Sequence, residues 1–266
     1  MDSAFTPSHR GGAGTPLVAL HGFTDTWRTW ELMLPALERH HDVLAPTLLG
    51  HAGGPPINGA IDNDVLADAV ERSMDEAGFE RAHIVGNSLG GYVALQLASR
   101  GRAESVVAMA PAGGWVVGDP AIAETLDYFA RSQELVKAAA PHAEAIAASP
   151  EGRRRATDFI TTSYEHIPAD LIAHAIRGAA ACEAAAQLME LAAREGWVVD
   201  AERIDCPVRL VWGTADRILK LPQAAARLRT DWLPTAEWVE LDGIGHCPQL
   251  DVPLEAAQLV LGFTAR

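Results

Sequence analysis

The stretch Ala82-His83-Ile84-Val85-Gly86-Asn87-Ser88-Leu89-Gly90-Gly91-Tyr92-Val93-Ala94-Leu95 decides how this chain is read. The run up to Val85 is short, apolar and partly β-branched, as a strand buried in a parallel sheet would be. The apolar run after Gly90 is longer and continues through Leu97 and Ala98, which suits a helix. Between them lies the pattern G-x-S-x-G, with Ser88 at the apex of a tight turn. Glycines two before and two after the serine let strand and helix approach closely and push the hydroxyl out above the sheet. The N–H of Leu89 then falls at a helix N-terminus, where backbone donors are unpaired and an anion is favoured. On its own the pattern also fits a glycine-rich turn with no chemistry, so the rest of the chain has to supply partners for Ser88.

Working outward, strands and helices alternate on both sides. An edge strand is expected near Ala4 to Ser8, then a strong strand at Pro16–Leu20 ending in His21-Gly22-Phe23. A helix is predicted from Trp27 to His40, a strand at Asp42–Pro46, and a helix to about Ala77, capped by Asp62 or Asn63 and stopped by Gly78. Ser105–Ala110 is a further buried strand. Strands resume at Val208–Trp212 and Glu237–Leu241, and a helix over Leu254–Thr264 closes the sequence. This alternation predicts an α/β fold, a mostly parallel sheet flanked by helices. Ligands of such sheets bind beyond the carboxyl ends of the strands.

From Trp115 to Gly196 the texture changes to alanine-rich helical segments punctuated by Pro120, Pro141, Pro150 and Pro168. About four helices are expected there. They would form an all-helical cap (115–196) inserted into a core made of 1–114 and 197–266, folded as a lid over the site of Ser88. The aromatic residues Trp115, Tyr128, Phe129, Phe159 and Tyr164 of this segment, with Trp197 just beyond it, are candidate walls for a substrate, although for any single one packing within the cap core is the more ordinary role.

Composition narrows the function. At 266 residues and 48% hydrophobic content the chain can bury one large α/β core. The formal net charge is −14, which disfavours nucleic acid and anionic membrane surfaces as partners. Neither a signal peptide nor a membrane span is expected, so a cytoplasmic location is the default. Cys182, Cys206 and Cys247 are three and far apart, with neither a disulfide framework nor metal-ligand spacing.

Asp216 follows Val208–Trp212 by one short turn, and His246 follows Glu237–Leu241 in the same way, so the chain order is Ser, Asp, His. The segments HGF at 21–23, GNSLGG at 86–91, GTADRI at 213–218 and GIGHCPQLD at 243–251 together resemble α/β-hydrolase-fold enzymes with a helical cap, of the esterase and lipase kind. The resemblance covers almost the whole sequence. It implies Ser88 as nucleophile, His246 as the base that takes its proton, and Asp216 as the acid that orients His246. It also implies an oxyanion hole from the N–H groups of Phe23 and Leu89. Asp205, Asp242 and Asp251 are rivals for the acid. His21 is read as a structural hydrogen-bonder, His51 as loop geometry, Asp25 as a helix cap before Trp27 or, alternatively, a substrate contact, and Arg153-Arg154-Arg155 as a solvated helix face. No metal or organic cofactor is implied.

The expected reaction is hydrolysis of a carboxylic ester or lactone of small to medium, largely apolar character, with a small molecule as partner and either monomer or homodimer as the state. Two alternatives stand beside it. Carbon–carbon bond hydrolases of ring-fission diketones share this scaffold and the GNS before the elbow leucine, but commonly carry tryptophan where Cys247 stands. A ligand receptor could keep the triad and signal instead. Epoxide hydrolases and haloalkane dehalogenases of the fold use aspartate at the elbow, against Ser88.

Overall fold

The computed structural model describes residues 5–116 and 118–265. Among them seven strands form one sheet: β1 (Ser8–Gly12), β2 (Thr15–Leu20), β3 (His41–Pro46), β4 (Ala82–Asn87), β5 (Ala103–Met109), β6 (Val208–Gly213) and β7 (Glu237–Leu241). Their spatial order is β1-β3-β2-β4-β5-β6-β7, and only β1 runs antiparallel to its neighbour. The chain steps from β2 outward to β3, then crosses back to place β4 on the other side of β2. That reversal puts the ends of β2 and β4 side by side, and a crevice opens where strand order reverses.

The helices are α1 (Leu34–Leu37), α2 (Val65–Ala77), α3 (Leu89–Ser99), α4 (Pro120–Ala139), α5 (Ala143–Ala148), α6 (Pro150–Thr157), α7 (Ala169–Ala180), α8 (Ala185–Arg194), α9 (Pro248–Asp251) and α10 (Pro253–Thr264). Side chains alternate across the sheet, as a period of two requires. Val18, Ile84 and Val106 face α2 and α3 on one side. Leu17, Val85, Val107 and Val211 face Trp30, Met33 and α10 on the other. Both faces are therefore covered, which is why β4 and β5 read as nearly unbroken apolar runs. Among the described residues no helix is long and apolar enough to cross a membrane.

Three expectations change. The helix predicted over Trp27–His40 is a 3₁₀ turn, Trp27–Trp30, followed by the short α1. Pro35 is the cause: inside one continuous helix it would lack an N–H and its ring would meet the carbonyl four residues earlier, so it stands in the first turn of α1 instead. The edge strand expected near Ala4 to Ser8 falls partly outside the described residues, at Ala4, and β1 begins at Ser8. Between β5 and β6 the described residues form five α-helices, α4 to α8, where about four were expected, because the segment around Pro141 and Pro150 splits into α5 and α6. Their interior, built on Ala143, Ile167, Leu171 and Ile172, continues onto Cys247 and Leu250 beyond β7.

Candidate active site

Ser88 sits between β4 and α3 with φ 55 and ψ −116, one of three non-glycine residues at positive φ among those described. Such a conformation is costly for a side-chain-bearing residue and persists only where the surroundings enforce it. The flanking glycines do this by absence. A Cβ on Gly86 would lie 2.2 Å from the Gly90 carbonyl oxygen, and one on Gly90 would lie 2.1 Å from that of Leu20. The turn thus closes backbone against backbone. Ser88 is 6% exposed and faces a cavity that His246 also lines.

His246 follows β7, and its ring is fixed by Asp216 after β6, with Nδ1 2.7 Å from Asp216 Oδ2. Both side chains are almost wholly buried. The other carboxylate oxygen accepts the N–H groups of Ile218 and Leu219, each at 2.8 Å. Three donors thus hold Asp216 in one orientation, and Nδ1–H donation to Asp216 leaves Nε2 of His246 as the acceptor. Gly213 makes the pairing possible. A Cβ there would lie 2.2 Å from the Ile244 carbonyl oxygen and 2.3 Å from that of Gly245, so the loops after β6 and β7 touch main chain to main chain.

The rival acids do other work. Asp251 accepts Gly245 N–H on one oxygen and Thr162 and Ser163 N–H on the other, all at 2.7 Å, and so ties the His246 loop to the segment before α7. Asp242 accepts the Thr214 hydroxyl, and Asp205 is exposed.

Phe23 lies on the loop after β2, beside Ser88: a Cβ on Gly22 would come 3.4 Å from Ser88 Cβ. Leu89 opens α3, so its N–H belongs to the first turn, whose donors have no intrahelical acceptor. His21 braces this loop. Its Nδ1–H donates to the Gly22 carbonyl at 2.8 Å and its Nε2 accepts Leu48 N–H at 2.8 Å. Burial, with His51 close by, drives its pKa well below the usual histidine value, in keeping with this neutral tautomer. His51 is likewise pushed down, to about 4, by burial.

The wall candidates divide. Tyr128 and Phe129 line the cavity of Ser88 and His246. Trp115 and Trp197 line an adjoining apolar cavity that shares Phe23, Ser88, Phe129 and Ile218 with the first but does not reach His246. Phe159 reaches neither. It is partly exposed, against Tyr128 and under the Arg217 guanidinium, in a third depression that Trp115 and Ile218 also line. Tyr164 packs at the border of the helical cluster around Ile167. Arg154 and Arg155 pair with Glu151 on an exposed helix face, whereas Arg153 of the same run is half-buried, its Nε shielded and without a hydrogen-bond partner. Gln133 of α4 and Leu171 and Ile172 of α7 also line the main cavity, and nothing in their sequence context marked them.

Asp25 departs from the first reading. The cap of the Trp27–Trp30 turn is Thr26, whose hydroxyl accepts Arg28 N–H, whereas Asp25 lines the main cavity. It lies deep in the molecule yet keeps part of its surface open to that cavity. Shielding from bulk water raises its pKa from 3.8 to about 6, although Thr26 N–H and the Thr29 hydroxyl oppose the shift. The stability consequence has a definite sign. The unfolded carboxyl ionises first, so stability falls as pH rises from 3.8 to about 6. Above that window the cost is complete, on the order of 2–3 kcal/mol at ~1.4 kcal/mol per unit. Asp25→Asn, which can still accept Thr26 N–H, is expected to stabilise the protein by that order at pH 8 and scarcely at pH 4. Urea titrations at both values test this, and an equal gain at both would assign the effect to packing.

Comparison with known proteins places this geometry. A profile of the alpha/beta hydrolase family matches residues 17–259. Epoxide hydrolase EphH of Mycobacterium tuberculosis is 36% identical over 200 residues, covering 75% of this chain and 93% of that one. The 2-hydroxymuconate semialdehyde hydrolase of a Pseudomonas strain is 37% identical over 114 residues, covering 41% of this chain and 40% of that enzyme. Among solved structures, the 2-hydroxy-6-oxo-6-phenylhexa-2,4-dienoate hydrolase of a Rhodococcus strain superposes with a TM-score of 0.76 at 21% identity, covering 98% of this chain and 97% of that one. The strand order, the Ser88 turn and a profile match over nearly the full length agree: the chain belongs to the alpha/beta hydrolase family.

Proposed function

We propose that this hydrolase cleaves carboxylic esters or lactones through an acyl-enzyme on Ser88. The observation that carries the reading is the strained Ser88 facing a cavity that it shares with a histidine whose tautomer is set by a buried carboxylate. In this mechanism His246 Nε2 takes the hydroxyl proton as Ser88 attacks the carbonyl carbon. The N–H groups of Leu89 and Phe23 receive the developing oxyanion. The imidazolium, stabilised by Asp216, then protonates the leaving oxygen, and water repeats the sequence to release the acid.

The two cavities suggest a division of labour. The leaving group must take a proton from His246, and only the main cavity includes His246. The leaving group therefore occupies that cavity, and the acyl chain the apolar one of Trp115 and Trp197. Residues from α4, α6 and α7 line the main cavity together with Ser88. The segment 115–196 accordingly serves as the lid that excludes water and shapes both pockets, over a core of 1–114 and 197–266.

Epoxide opening fits Ser88 poorly. A serine that attacked an epoxide carbon would form an ether, with no carbonyl for water to attack, and the enzyme would stop after one turnover. Carbon–carbon cleavage of ring-fission products is the second reading, favoured by the similarity to the muconate semialdehyde hydrolase. A dienoate carries a carboxylate, however, and the cavity presents Asp25 with no lysine or arginine among the described lining residues. Placing two carboxylates together without a cation is unfavourable. Chromogenic esters, lactones and a ring-fission diketone, each offered to the purified protein, decide between the two. Turnover of esters with none of the diketone supports the proposal, and the opposite pattern overturns it.

A further inference from the structure

The main chain on both sides of His246 is held by groups outside its own loop. Gly245 N–H donates to Asp251 Oδ2 at 2.7 Å, and Cys247 N–H donates to the Ile160 carbonyl at 2.9 Å. The His246 carbonyl accepts from the Asn87 side chain at 3.0 Å. Ile160 belongs to the cap, and Asp251 leads back to the same place: its Oδ1 accepts Thr162 N–H and Ser163 N–H, both at 2.7 Å. The Thr162 hydroxyl donates to the Gly243 carbonyl at 2.9 Å, and His166 Nε2 to that of Leu250 at 2.6 Å. The cap segment 160–166 is thus bonded repeatedly to the strip 243–251, and His246 lies inside that strip. Gly245 lets the two chains touch, since a Cβ there would lie 3.0 Å from both the Ile160 carbonyl oxygen and Asp251 Oδ2. Asp251 itself is 4% exposed. A buried carboxylate is costly unless it is hydrogen-bonded, and here three main-chain N–H groups hold its charge. Both of its oxygens accept, which an amide in the same place could not do.

We propose that Asp251 is a positioning residue of the triad, which anchors the His246 loop to the cap and so keeps His246 Nδ1 in line with Asp216. This rests on the ester-cleaving reading in taking His246 as the base. His246 and Asp216 stand on separate loops, so their 2.7 Å contact depends on how the His246 loop is set. A misplacement of about 1 Å near a reacting group costs about 100-fold in rate. Asp251 acts through His246 and lines neither cavity that Ser88 faces, so its loss should fall on kcat and spare KM. The cap segment 160–166 then does more than cover the site: it is part of the frame that holds the base.

Asp251→Asn is the first test. The amide can accept on one side only, so its NH₂ must face either Gly245 N–H or the pair from Thr162 and Ser163. For a chromogenic ester kcat should fall about 10- to 100-fold, with KM within about twofold. Gly245→Ala reaches the same contact from the other side, because the new methyl presses on Ile160 and Asp251. It should act in the same direction, and it carries the comparison if Asp251→Asn does not fold. Proton NMR supplies a readout that lost stability alone would not move. The Nδ1 proton of a histidine bonded to a buried carboxylate resonates far downfield. That line, assigned by its absence in His246→Ala, should broaden or vanish in both variants. Val260→Ala, a truncation in the core packed by α10, is the stability control and should keep both kcat and the line. Unchanged kcat in both variants, or a fall in kcat with the downfield line intact, overturns the proposal. Should the wild type neither cleave esters nor take a fluorophosphonate at Ser88, the ester reading falls, and the NMR line alone decides for or against Asp251. Should esters be cleaved while neither variant alters kcat or the line, the ester reading stands and the positioning role falls.

Discussion

Alanine in place of Ser88 is expected to lower kcat for ester cleavage by roughly 10⁴–10⁶-fold while leaving the fold intact. The size of the effect follows from the proposed chemistry. Without the hydroxyl no acyl-enzyme forms, and only the oxyanion donors and the binding cavity remain to help water attack directly. The fold should tolerate the change, because alanine keeps the Cβ and removes only the hydroxyl. The bonds that fix the turn are main-chain ones: Ser88 N–H donates to Met109 and its carbonyl accepts from Tyr92 and Ala112. A fluorophosphonate should therefore add one adduct to the wild type, mapped by peptide mass spectrometry to Ser88, and none to Ser88→Ala. Full labelling of the variant would place the nucleophile elsewhere.

Much of this site was legible because it is local. G-x-S-x-G is a property of five consecutive residues, and the closeness of Gly86 to Gly90, and of Gly90 to Leu20, is what those glycines are for. Asp216 and His246 each follow a short buried strand, so the order of motifs already placed them at one sheet edge. What stayed hidden depends on distant packing. Gln133 lies on a long helix whose sequence does not say which turn will face a cavity. Asp25 looked like a cap because aspartate suits that role, but Thr26 satisfied the turn first and left the carboxylate to face inward. Phe159 is plausible as a wall by residue type alone, yet it packs between Tyr128 and Arg217 and lines neither cavity that Ser88 faces. The break in the helix expected over Trp27–His40 is itself written in the sequence, at Pro35.

Asp216→Asn is expected to lower kcat by about 10²–10⁴-fold with little change in KM. The reason lies in the hydrogen bonds around the carboxyl. Oδ1 accepts two main-chain N–H groups, and an asparagine carbonyl can take over that role. The other position faces His246 Nδ1 at 2.7 Å, and there asparagine must present its NH₂. Two donors cannot share a hydrogen bond, so Nδ1 must become the acceptor and the ring proton must move to Nε2. Nε2 would then hold a proton just where the serine proton has to arrive, and the imidazolium of the transition state would lose its buried counter-charge. Asp216→Ala should be impaired to a similar degree without the tautomer locked, and it leaves two main-chain donors unpaired beside an empty site. The pair of variants separates orientation from charge. If the lost charge dominates, both fall alike and acetate in the medium partly restores Asp216→Ala. If the tautomer dominates, Asp216→Asn is the worse of the two and acetate does nothing for it. Near-normal turnover in both variants would remove Asp216 from the mechanism, and Asp242, which also stands at the end of a strand and bonds to Thr214, would be the next carboxylate to change.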